Sequence, residues 1–187
     1  RQMCIRDRHK TIRWVVTVFL ITVVISGIIS LVSDEVMDSS SLPVAFLILL
    51  AIVMVGIIFD IIGMAVASAD EKPFHSMAAR KVPGSQEAIR LLRNAERVSS
   101  ICNDVVGDIC GVVSGSASAT IAALILTQVD VGWPRGVSLV MSAIVAGLTV
   151  GGKAIGKTFA VNSCTQIVHA VGRVLHALNG LHGKKKK

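Results

Sequence analysis

Four runs of about 20 or more mostly apolar residues dominate this 187-residue chain, each the length an α-helix needs to cross roughly 30 Å of hydrocarbon. The first, Trp14 to Ser33, carries no charge. The second, about Leu42 to Ala69, is interrupted only by Asp60. The third, about Val98 to Gln128, holds Asp104 and Asp108, and the fourth starts at Gly136 and reaches Lys153 and Lys157 before it ends. Hydrophobic residues make up 52% and charged residues 17%, with no Tyr and a mean hydropathy of +0.70, which is not a soluble composition. The expected fold is therefore an all-α integral membrane protein: four transmembrane helices with a cytoplasmic amphipathic helix hairpin between spans two and three.

The basic residues set the expected direction. Lys10, Arg13, the 70–98 segment with Lys72, Arg80, Lys81, Arg90, Arg93 and Arg97, and the terminal KKKK fall on one side. The other side holds Asp34, Glu35, Asp38 and Asp130, with Arg135 as its one base. A multi-pass protein of the inner membrane with both termini cytoplasmic follows. The opening RQMCIRDR stands apart: MCIRD is what ATG TGT ATA AGA GAC encodes, DNA that resembles a transposase mosaic end, so residues 1–8 are expected not to be native and the chain to begin near His9.

Residues 71–97 divide at Pro83-Gly84 into two short helices, the second with Ala88, Ile89, Leu92 and Ala95 on one face. They predict an amphipathic hairpin on the inner surface. Beyond the fourth span, in 164–187, Ile167, Val168, Val171, Val174, Leu175 and Leu178 repeat at helical spacing opposite Arg173 and His176. This predicts an interfacial helix ahead of a lysine tail that either meets anionic lipid or serves as plain solubilising charge. No carboxylate or cysteine joins His169 and His176, so a metal pair there is not expected. Cys102, Cys110 and Cys164 lack zinc-site spacing and read as small buried hydrophobes.

GGKAIGKT, residues 151–158, matches the phosphate-loop pattern G-x-x-x-x-G-K-[ST] at every position. A phosphate loop follows a buried strand and opens a helix in an α/β domain. Here GVSLVMSAIVAGLTV precedes it, most of a membrane crossing, and no strand and helix units alternate anywhere. Neither an ATPase, a bound nucleotide nor a nucleic-acid partner is expected.

The longer segment VGGKAIGKTFA resembles VFGEILPKTIA, which closes the membrane domain of the cyclin-M and CorB/CorC family of magnesium and cobalt transport proteins. Gly152, Lys157, Thr158 and Ala160 match, whereas Lys153 replaces a glutamate and Gly156 a proline. FDIIGMAVASADEKPFHSMAARKVPGSQEAIRLLRNAER resembles the family's F-x-S-G-x-E-x-A-L-x-S-L stretch and its helix hairpin. Ala65, Val66 and Ser68 fall on A-L-x-S, Asp60 stands where the family has serine, and Gly63 where it has glutamate. CNDVVGDICG resembles the family's G-N-x-L-V-N stretch, with either Asn103 or Asp108 at the first asparagine. The resemblance covers about residues 45–178, within a membrane domain expected at 42–163, and leaves the helix in 9–35 as an addition.

The resemblance implies a homodimer whose oxygens surround a partly dehydrated magnesium ion open to the cytoplasm. The family's CBS domains are absent from this sequence, so regulation by nucleotide is not expected. Magnesium is hard and octahedral and keeps several waters, so a few protein oxygens suffice. Asp60, Asn103, Asp104 and Asp108 are the candidate ligands, and Mg2+, with Co2+ beside it, is the expected cargo. At 1.5 Å per residue Asp60 comes about 27 Å after Leu42 and Lys153 about 26 Å after Gly136, at similar depth. Two roles therefore stay open. The oxygens form an ion site, or Lys153 and Lys157 neutralise Asp60 and Asp108 as ion pairs in a non-transporting scaffold or partner subunit. The faces Gly56-Asp60-Gly63-Ala67 and Asp104-Asp108-Gly111-Gly115-Ser118 are expected to pack on each other or across the dimer.

Overall fold

The computed structural model describes residues 2–38, 41–128 and 134–183, with side chains from Ile12 to Leu178 except at 34, 36–40 and 128–134. Asp34, Asp38 and Asp130, the side chain of Lys10 and the lysines 184–187 thus lie outside what is described. Every element among the described residues is helical: α1 (Gln2–Asp38), α2 (Leu42–Ser68), α3 (Lys72–Ala79), α4 (Ser85–Arg93), α5 (Ala95–Ser100), a π-helix (Ile101–Gly107), α6 (Asp108–Gln128), α7 (Pro134–Asn162) and α8 (Cys164–Gly183). Four helical stretches are long and apolar enough to cross a membrane: Ile12–Ser33, Leu42–Ser68, Ala95–Thr127 and Arg135–Asn162. These match the four runs read from sequence. The π-helix inside the third was not foreseen.

The chain forms two compact units, Arg1–Val53 with Ile109–Ala146 and Met54–Asp108 with Gly147–Lys187. In the first, Ala45, Leu49 and Val53 of α2 are buried, as are Ile109, Val113, Ala117, Ile121 and Ala122 of α6. The α6 hydroxyls are satisfied on their own helix, Ser114 Oγ donating to the Gly111 carbonyl at 2.9 Å and Ser118 Oγ to that of Gly115 at 2.7 Å. A hydroxyl bonded to its own helix adds no unmet polar group to an apolar setting. None of the most apolar stretch of α1 is buried.

The second unit is built on a core of Ala65 and Val66 of α2, Phe74 of α3, Ala88, Ile89 and Leu92 of α4, Ala160 of α7 and Val168 of α8. The expected break at Pro83-Gly84 is present. α3 ends in a Schellman motif: Val82 N–H donates to the Met77 carbonyl and Lys81 N–H to that of Ala78, both at 3.0 Å, with Lys81 left-handed at φ 57°. Gly84 then opens α4 at φ 84°, a conformation that glycine adopts without a Cβ penalty. Ala88, Ile89 and Leu92 face the core as the spacing predicts.

α8 departs from the expected pattern. It packs on α4, so closely that a Cβ at Gly172 would collide with the Gly84 carbonyl oxygen and one at Gly84 with the backbone of Arg173. The apolar face consequently divides. Val168 is fully buried, whereas Val174 and Leu178, expected to share its surroundings, are 59% and 56% exposed. His176, expected on the polar side, reaches across to Glu87, with Nδ1 and Oε1 3.0 Å apart. The two glycines set this docking, and apolar periodicity does not report on them.

Cys102 is buried, while Cys110 and Cys164 are only half-buried, a partial correction to the reading of all three as core residues.

Two outcomes follow for the α4–α8 contact. Gly84→Ala and Gly172→Ala each meet backbone that cannot yield, and should lower stability by about 2 kcal/mol or more in thermal unfolding. Gly111→Ala and Gly115→Ala, which meet nothing within 4 Å, should leave it unchanged. The His176 hydrogen bond, aided by the nearby Arg90 charge, holds the Glu87 carboxyl below the usual value of 4.5 against the opposing effect of burial. A depressed carboxylate contributes stability above its unfolded value, lost as pH falls through the lower folded one. Thermal unfolding between pH 5 and pH 3 should therefore lose an acid-sensitive component in Glu87→Gln (pH limits roughly bracketing the usual carboxylate value).

Candidate functional site

Asp60 sits in the C-terminal third of the second apolar stretch, Leu42–Ser68, and is 4% exposed. An isolated buried carboxylate costs several kcal/mol, about 2.5–3.5 at the centre of a membrane helix on insertion scales, so its surroundings must compensate it. Its Oδ2 is nevertheless buried without a hydrogen-bond partner.

The π-helix supplies the opposing surface. Single-turn π segments widen the helix and turn the residues that follow out of α-register, and they are frequent at functional sites. Here Cys102, Val105 and Gly107 are buried, and Asn103 is half-buried. Asn103 Nδ2 donates to Ser99 Oγ at 3.3 Å, which turns Oδ1 toward Gly63, where it too is buried without a partner. A Cβ at Gly63 would overlap Oδ1 and lie 2.8 Å from Asn103 Cγ. Gly63 is therefore the small residue that lets Asn103 in.

Lys153 closes the third side. It is half-buried, and its Nζ donates to the Gly107 carbonyl at 3.3 Å. A methyl group placed on Gly107 would lie 3.5 Å from Lys153 Nζ and 3.9 Å from Asp60 Oδ1, so ammonium and carboxylate flank the same glycine. Among the described residues, no lysine or arginine reaches ion-pairing distance of Asp60. The stem of Lys153 is fixed by close packing of α7 on α2: Cβ atoms at Gly152 and Gly156 would overlap Ile57 and Ile61, the second at 2.7 Å from Ile61 Cγ1. Gly152 and Gly156 of GGKAIGKT thus serve helix packing, and all eight residues lie within α7.

Asp60 and Lys153 come together beside Gly107, as their matching depths anticipated, and Asn103 packs against Gly63, three residues after Asp60 on α2. Asp104 and Asp108 do not join them. Both are exposed, and Ser100 Oγ donates to Asp104 Oδ2 at 2.8 Å. Asp104, Asp108 and Gly115 of the expected face lie exposed and Gly111 half-buried, leaving Ser118 alone of that set buried. Gly56, Asp60 and Gly63 are buried together on α2, while Ala67 and Ser68 are exposed. Lys157 is exposed and makes no ion pair with Asp108, which corrects that expected pairing. Nor do His169 and His176 pair, since His176 is engaged by Glu87.

Sequence reasoning missed Gly107, whose carbonyl and lack of a side chain create the meeting point. Its only trace is a lone glycine between Asp104 and Asp108, a pattern that does not reveal a π turn. No group of three or more His, Cys, Asp or Glu that could hold a metal ion occurs among the described residues. Any cation here would rest on one carboxylate, the Asn103 amide oxygen and a backbone carbonyl, with water completing its shell. Two buried oxygens without partners fit a hard, hydrated cation better than a thiophilic one. No family model, curated protein or solved structure matches the chain.

Replacing Gly63 with alanine tests this geometry. The added methyl must displace the Asn103 side chain and also lies 3.0 Å from Cys102 Cβ, so Gly63→Ala should fold with a loss of about 1–2 kcal/mol. A loss above ~3 kcal/mol would mean that the contact is core packing rather than an adjustable site wall.

Proposed function

We propose that the chain is an integral membrane protein that moves divalent cations, magnesium foremost and cobalt beside it, through a site centred on Asp60. The four apolar helical stretches support the membrane reading, and the inner membrane is its expected home. The basic residues of the α3–α4 hairpin, with Arg13 at the start of the first stretch, favour a cytoplasmic hairpin and cytoplasmic termini. The resemblance to the CorB/CorC membrane domain supports the choice of ion.

One observation carries the reading. Asp60 Oδ2 stays unpaired at 4% exposure although the Lys153 ammonium lies beside the same glycine. In a lock made only for stability, Lys153 would sit on the carboxylate, because breaking a buried pair is costly and forming it is what offsets desolvation. Instead it sits on a backbone carbonyl. Magnesium held with most of its water requires no complete protein cage, and Asp60 and Asn103 oxygens offer the few contacts that such an ion takes.

A homodimer accounts for the other acidic residues. Asp104 and Asp108 are exposed on the third stretch, where contact with lipid would be expensive, and Gly111 and Gly115 continue the same face with nothing near them. A second copy or a water-filled vestibule between copies covers such a face. Arg173, Val174 and Leu178, exposed together on α8, suit a headgroup boundary, and the lysine tail suits anionic lipid. The scaffold reading keeps one observation in its favour, the presence of Lys153 beside the site.

Magnesium flux into dye-loaded liposomes carrying the full chain separates the two readings. Flux should be present in the native protein and fall at least about tenfold in Asp60→Asn, while the variant still elutes as a folded dimer. Absence of flux under either gradient direction from a well-folded native dimer would sink the transporter and leave the scaffold.

A further inference from the structure

We propose that Lys153 is a tethered cation that competes with the transported ion for the Asp60 site and so sets how readily that site fills. This inference rests on the reading of Asp60 as part of a cation site. Its own ground is the position of the ammonium, which donates to the Gly107 carbonyl at 3.3 Å, an oxygen of the same cluster. Nζ and Asp60 Oδ1 lie 3.5 and 3.9 Å from one point, the place a methyl group on Gly107 would occupy, so ammonium and carboxylate border the same small space beside that glycine. A small, doubly charged ion drawn to Asp60 meets a like charge already in place, and the ammonium occupies one of the oxygens it would use.

The stem and the tip of Lys153 behave differently. Gly152 and Gly156 press α7 against Ile57 and Ile61, which fixes the Cα of Lys153 relative to Asp60. Beyond Cα the side chain is a flexible four-carbon arm with a point charge, able to withdraw while its stem stays packed. One weak bond of 3.3 Å to a carbonyl, with no carboxylate partner, holds the tip where it is. A free ion therefore displaces Lys153 without unpacking α7 from α2. At the same position a neutral side chain leaves the packing intact and the charge gone.

Magnesium protection against thermal unfolding in detergent, measured on the unsubstituted chain, Lys153→Gln, Lys153→Met and Asp60→Asn, tests this. Gln keeps a donor for the Gly107 carbonyl and Met keeps the apolar stem, so a folding defect in one variant leaves the other to read. Half-maximal protection in both lysine variants should need about tenfold less magnesium than in the native protein, the direction expected when a like charge is removed. Protection in the lysine variants but not in the native chain would support the same conclusion more strongly. Equal or higher magnesium demand in the variants, with protection of the native protein abolished by Asp60→Asn, would overturn the role of Lys153 and leave the Asp60 site standing. No protection in any of them would remove both.

Discussion

A carboxylate at 4% exposure among apolar helices has to be compensated by whatever lies opposite, and much of the second unit is arranged around that requirement at Asp60. In an ordinary α-helix every carbonyl beyond the last turn is occupied by its own helix, so the facing wall would have little to offer. The π segment Ile101–Gly107 changes this by loosening the ladder where the wall meets Asp60 and by turning Asn103 and Gly107 inward. Gly63 makes room for one and Lys153 reaches the other. Removing any one of these leaves the remaining polar groups with fewer neighbours than their burial demands.

The compensation is incomplete, and the shortfall is chemically specific. Two oxygens, Asp60 Oδ2 and Asn103 Oδ1, lack partners, and both are acceptors. What is missing is positive charge or hydrogen-bond donation. Lys153 is the one ammonium at hand, yet it is spent on the Gly107 carbonyl. A site short of cationic character beside a weakly held cation is unlike a salt bridge made for stability, which satisfies its own lone pairs.

What was legible in the sequence follows from which forces leave periodic traces. Long apolar runs report burial away from water, so the four stretches and their limits were readable. Pro83-Gly84 reports a backbone that must turn, so the hairpin break was readable too, as was the face Ala88-Ile89-Leu92. Matching depth along two helices placed Lys153 near Asp60 because rise per residue is nearly constant. The π turn breaks that constancy. A residue count also gives depth without telling which face of a helix meets its neighbour, and Asp104 and Asp108, grouped with Asp60, lie exposed instead. No residue type in ICNDVVG demands such a turn.

Glycine was the other limit, because it reports an absence. Gly84 and Gly172 place α8, Gly152 and Gly156 place α7, and Gly63 admits Asn103, yet each is a single letter whose partner is remote in sequence. The same property explains how GGKAIGKT imitates a phosphate loop. Both structures need glycine where another backbone or group comes close, a phosphate in one case and the Ile57-Ile61 ridge in the other. The pattern records close approach, and only the surrounding secondary structure says what approaches. Read this way, Lys153 and Lys157 part company: the lysine between the two packing glycines is carried into the helix contact beside Asp60, while the one that follows Gly156 turns outward. Spacing on α7, rather than any affinity for phosphate, determines which lysine meets the buried charge.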